Sequence, residues 1–144
     1  MRYSFVISSL VLLFMLCLAR PAAAVLQFCN AFTAEYLEHH PDQAYAEYVK
    51  KEVKCLVCHQ GKKRKNHNRY GEHLDELLDR KKDAKDLEKI VAALKKVADL
   101  PFDPADPNSE TFAQRIAAGK LPGGELEELK IEPEKTNDEL PNDE

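Results

Sequence analysis

The chain has 144 residues, enough for one domain with a modest core, and its 25 acidic residues against 21 basic ones leave a formal charge of -4. An acidic balance disfavours nucleic acid as a partner, and no apolar run reaches the roughly 18 to 20 residues that cross a bilayer.

The first residues, "MRYSFVISSLVLLFMLCLARPAAAVLQ", place Arg2 ahead of an apolar run that ends near Leu18 and is closed by small residues. That is the layout of a secretory signal peptide, with cleavage expected after Ala24, so residues 1–24 are set aside and the mature protein is expected to be soluble and exported. Cys17 lies within the apolar run behind Met15 and Leu16, where a lipoprotein site would want a small residue, so lipid anchoring is a minor option. Cys29, Cys55 and Cys58 remain. Three cysteines do not divide into pairs, so a plain disulfide scaffold does not account for them in an oxidising compartment.

The helical expectations run in chain order. Asn30 can cap a short helix through "AFTAEYLEHH", which Pro41 ends. From Asp42 to about Cys58, Tyr45, Tyr48, Val49, Val53 and Leu56 recur at near 3.6 spacing and predict an amphipathic helix, with Gly61 placed to stop the chain behind it. The stretch "GKKRKNHNR" has no hydrophobic period and reads as a basic loop. Tyr70, Leu74, Leu77 and Leu78 predict a helix from about Tyr70 to Arg80. Asp83 can cap another, with Leu87, Ile90, Val91, Leu94 and Val97 on its inner face. "LPFDPADPN" is a Pro-rich loop, and Ser109 or Asn108 can begin a last short helix carrying Phe112 and Ile116 and stopping at Gly119. No β alternation or internal repeat stands out. The expected fold is all-α, four or five helices over residues 25–123, with residues 124–144 a disordered acidic tail.

The chemistry is concentrated in Cys55-Leu56-Val57-Cys58-His59, the C-x-x-C-H arrangement of c-type haem attachment. Residues i and i+3 at a helix end share a face, so Cys55 and Cys58 can both reach the vinyl-bearing edges of one porphyrin, and His59 is then carried beneath the iron as its proximal ligand. The stretch resembles the c-type cytochrome family. It is closer still to short exported bacterial monohaem proteins in which C-x-x-C-H-x-G and several basic residues precede a Tyr-Gly pair; here these are Cys55, Cys58, His59, Gly61, Lys62, Lys63, Tyr70 and Gly71. The resemblance covers roughly residues 48 to 78, with a weaker echo in "TFAQRIAAGKLP". It implies a cytochrome c-like helical domain, one covalent haem c, single-electron transfer, a periplasmic or otherwise exported location, and no enzymatic activity of its own.

The second axial ligand departs from that family's usual pattern. Both methionines, Met1 and Met15, leave with the signal peptide, so the iron would be bis-histidine, otherwise ligated, or open on one side. His39, His40, His67 and His73 are the candidates, with His73 placed first because it stands near the inner face of its helix. An open position would make a haem-based gas or redox sensor the alternative function.

Other readings compete for the same residues. Cys55, Cys58, His67 and His73 have the ligand types of a zinc knot, although the middle gap is short and His59 would be left without a task. A thioredoxin-type dithiol would follow a strand, and here a helix precedes. Cys29 reads as a buried apolar residue or a bridge to another chain, lacking an evident partner within its own. Lys62, Lys63, Arg64, Lys65 and Arg69 read as a solvated loop, or as a positive collar that steers a redox partner with an acidic docking surface. Tyr45, Tyr48 and Tyr70 read as core or pocket walls.

Overall fold

The computed structural model describes residues 23–62 and 64–133. The expected signal peptide up to residue 22, and the tail from residue 134, lie outside the described residues. Among those described, the chain is mainly helical: α1 (Ala23–Phe32), α2 (Gln43–Tyr48), α3 (Arg69–Asp75), α4 (Leu87–Ala98), α5 (Phe112–Ala117) and α6 (Leu126–Leu129). A two-residue antiparallel pairing joins β1 (His59–Gln60) to β2 (Asn66–His67). No described helix is long and apolar enough to cross a membrane.

Polar side chains fix where the helices begin, because the first amides of a helix have no partner within it. Asp42 accepts from the Tyr45 amide at 3.0 Å, Asn68 from Gly71 at 3.0 Å and Asp86 from Lys89 at 2.9 Å. Thr111 and Gln114 exchange side-chain and backbone bonds in a capping box at α5. Three of these starts differ from expectation. Asn30 lies inside α1, Thr111 takes the place assigned to Ser109 or Asn108, and Asp86 caps α4 in place of Asp83. The Asp83 carboxylate is already engaged, taking Lys89 Nζ at 2.6 Å and the Asp79 amide at 2.8 Å. With the start shifted, Leu87 falls in the first turn and is 56% exposed instead of facing inward.

The core gathers on α4, whose Ile90, Leu94 and Val97 are buried, and α1, α3 and α5 pack against that helix. An aromatic chain crosses the same core: Phe32 meets Tyr70 edge-on at 6.0 Å, and Tyr70 meets Phe112 at 5.3 Å. The Pro-rich loop is pinned by Phe102, which has the Arg115 guanidinium 3.9 Å from its ring centroid and Arg69 at 4.7 Å.

Two segments expected to lack structure have it. The basic loop folds back on the motif through the β1–β2 pairing, too short a pairing to leave a readable alternation. Residues 124–133, assigned to the disordered tail, include α6, and Leu129 is only 2% exposed within the core. A single well-placed leucine anchors a segment whose overall composition is acidic.

Candidate cofactor site

The approach to the motif changes its winding. α2 is followed by a wide turn over Val49–Val53 and then a tight 3₁₀ turn over Lys54–Val57, so the single amphipathic helix expected to Cys58 is helical but not uniform. Val49, Val53 and Val57 are buried and tie each section to the core. Lys54 takes the strain of the change, with φ 52° and ψ -118°, and is the one non-glycine residue with positive φ among those described. In a 3₁₀ turn residues i and i+3 eclipse one another, and the Cys58 amide bonds to the Cys55 carbonyl at 3.2 Å. Cys55 and Cys58 therefore leave the turn on one side, while Val57 is directed into the core.

His59 opens the β1–β2 pairing and lies opposite His67. Its Nδ1 is 3.2 Å from the Asn66 carbonyl oxygen. With the ring proton donated there, Nε2 is the nitrogen that keeps a free lone pair. Burial first, and then the neighbouring His67, holds the His59 pKa below its ordinary value and favours the neutral ring that a metal requires. The two imidazoles stack with centroids 4.9 Å apart and planes inclined by 28°.

A polar clamp behind the motif holds it in shape. The side-chain amide of the buried Asn68 donates to the carbonyls of Leu56 at 2.9 Å, Val57 at 3.0 Å and His59 at 3.3 Å, while its oxygen caps α3. The Asn68 backbone amide donates to the Cys58 carbonyl at 3.0 Å. Glycines make the close approach possible: a Cβ on Gly71 would overlap the Cys58 carbonyl, and one on Gly123 would overlap the Asn68 amide. On the far side, Gly61 has φ +76° and donates to the Leu129 carbonyl at 2.8 Å. Glu132 accepts from the Lys62 amide at 2.8 Å and from Asn66 Nδ2 at 3.0 Å.

All three described cysteines are free thiols. Contrary to the sequence reading, Cys29 has a neighbour in its own chain and is exposed: its side chain adjoins that of Cys55. This follows from the packing of α1, which brings Phe28, next to Cys29, and Phe32, one turn on, into the cluster that includes Leu56 and Cys58. Burial, followed by the neighbouring Cys29 and Cys55, pushes the Cys58 thiol up to about 12. A redox-active dithiol needs a lowered thiol pKa, and these thiols follow helical turns instead of a strand, so a thioredoxin-type site is not formed.

The histidine candidates separate. His40 is structural: its Nδ1 accepts from the Asp42 amide at 3.1 Å and its Nε2 donates to the Ile116 carbonyl at 2.8 Å, which occupies both nitrogens. His67 stacks on the proximal candidate, so its ring lies beside His59 and not across a porphyrin from it. His73 sits on α3 with its ring 5.9 Å from Phe112 and its Nδ1 3.9 Å from a Glu76 carboxylate oxygen. His39 is exposed. The zinc set is dispersed in the same way, and among the described residues no three His, Cys, Asp or Glu side chains form a metal-holding group.

The positive collar is partly engaged, because Arg69 donates to the Phe102 carbonyl at 2.7 Å. Lys62, Arg64 and Lys65 are exposed, and Lys63 lies outside the described residues. Of the three tyrosines read as walls, Tyr45 and Tyr70 are buried but Tyr48 is exposed.

The residues present fit a covalent haem. Two unpaired thiols share a side, an imidazole is anchored by Nδ1, and two buried polar atoms close to the motif, His67 Nδ1 and the Tyr70 hydroxyl, have no hydrogen-bond partner. His67 Nδ1 has only Asp75 at 3.8 Å, beyond hydrogen-bonding reach. Comparison of the chain with protein families, curated proteins and solved structures gave no match.

Proposed function

We propose that this is an exported, single-haem electron carrier in which Cys55 and Cys58 form two thioethers and His59 Nε2 is the proximal iron ligand. The observation that carries the reading is the His59 Nδ1 contact with the Asn66 carbonyl, 3.2 Å long, next to two thiols on one side of a tight turn. A second-shell carbonyl of this kind fixes the tautomer and aims the other nitrogen at a metal. When bound, haem would supply a reversible one-electron couple at its iron. The chain's own part is to hold the ring, keep His59 neutral and limit solvent access. On this reading it acts in the periplasm, is not itself an enzyme, and meets an acidic redox partner through Lys62, Arg64 and Lys65 in a salt-sensitive encounter.

The test is expression with the signal peptide in a host that attaches haem. The expected product keeps its colour through acid-acetone extraction, and the Cys55→Ala, Cys58→Ala variant is colourless. A colourless wild-type protein contradicts the proposal.

A second reading, a haem-based sensor with an open axial position, draws support from the absence of a mature methionine and from the engagement of both His40 nitrogens. Immediate conversion of the ferrous spectrum by carbon monoxide identifies the sensor; an unchanged spectrum identifies a six-coordinate carrier.

A further inference from the structure

Three tyrosines turn their hydroxyls toward protein surroundings, and two of them have partners. Tyr36 donates to the Leu94 carbonyl at 3.1 Å and Tyr45 to the Lys120 carbonyl at 2.9 Å. Tyr70 is the most buried, at 0% exposure, yet its hydroxyl has no partner. A buried hydroxyl without a hydrogen bond costs about 1–3 kcal/mol, so a phenylalanine would suit this position better if the protein were complete as it stands. The ring is held firmly, with Phe32 at 6.0 Å on one side and Phe112 at 5.3 Å on the other. Its chain neighbour Gly71 lies against the Cys58 carbonyl, and Asn68, two residues earlier, clamps the motif. The spare donor therefore belongs to the same rigid unit as the attachment residues.

We infer that the Tyr70 hydroxyl is a positioning donor for a carboxylate of the bound group, a haem propionate, which would satisfy it on loading. The inference rests on the haem reading of Cys55, Cys58 and His59. Tyr70 fixes the orientation of the ring and holds the propionate in its ionised form, since a hydrogen bond to the charged form lowers a carboxyl pKa.

The test compares wild type with Tyr70→Phe, each prepared with haem attached, verified by mass, and haem-free. The expected result is a change of sign: Tyr70→Phe lowers the urea midpoint of the loaded protein and leaves unchanged or raises that of the haem-free protein. In the loaded variant the pH at which the reduction potential bends should also move upward, a readout that does not require the haem-free variant to fold. Tyr36→Phe is the control, lowering both midpoints because its hydroxyl is already satisfied. An equal change in both forms, as a buried water partner would give, overturns the inference while leaving haem attachment intact. So does loss of a tyrosinate-to-iron band in the variant, which would make Tyr70 an iron ligand. Absence of haem mass from the wild type overturns both.

Discussion

The Asn66 carbonyl oxygen lies 3.2 Å from Nδ1 of His59, and the same strand pairing that makes this contact stacks His67 on the His59 ring. Through it a five-residue motif acquires a defined tautomer and direction. The clamp behind it turns a flexible Cys-x-x-Cys-His segment into a preformed site, which lowers the ordering cost of binding a large planar group.

Removing the clamp should destabilise the haem-free protein. Asn68→Ala leaves carbonyls of the motif without a donor and removes the cap of α3, an expected loss of about 2–4 kcal/mol in urea unfolding. Gly71→Ala drives a methyl into the Cys58 carbonyl and should cost at least about 3 kcal/mol. Gly61→Ala should cost less, because the group it meets is the Glu132 carboxylate, which can swing away.

Lys54→Gly should act in the opposite direction. Relief of the φ 52° conformation outweighs the entropy that glycine loses on folding, for a gain of about 1 kcal/mol in the same measurement. A loss would mean that the strain is not carried at that residue.

The alkaline limit of stability follows from the tyrosines. Burial raises Tyr36 and Tyr45 to about 12 from the 10 expected in the unfolded chain, and pushes Tyr70 higher still. A folded-state pKa above the unfolded one means that the unfolded chain loses protons first as the pH rises. The contribution is full below pH 10 and is lost from pH 10 toward 12. Phenolate absorbance should therefore appear together with the loss of helical circular dichroism across that range; tyrosines that titrate before unfolding would contradict it.

Haem-free protein treated with oxidised glutathione should form a Cys29–Cys55 disulfide, because those side chains adjoin. Peptide mapping should find the pair in wild type and in Cys58→Ser. A Cys55–Cys58 link alone would contradict the placement of α1.

The attachment residues were legible because Cys55, Cys58 and His59 are close in sequence and their spacing carries the chemistry. α4 was legible because Ile90, Leu94 and Val97 repeat at helical period. The clamp was not, since Asn68, Gly123 and Glu132 act on backbone atoms far along the chain and leave no periodic trace; the only local sign was Asn68 three residues before Gly71, a capping position. Leu129 was missed because one buried leucine does not alter the composition of an acidic segment. The neighbour of Cys29 depends on how α1 crosses the motif, which spacing does not encode.

The most direct measurement is the mass of the tryptic peptide bearing Cys55 and Cys58 from mature protein made in a haem-attaching host, together with the same peptide from His59→Ala. The account predicts one haem added through both sulfurs in the wild-type peptide, and an altered iron spectrum when His59 is replaced. Unmodified thiols or a disulfide in the wild-type peptide would contradict it.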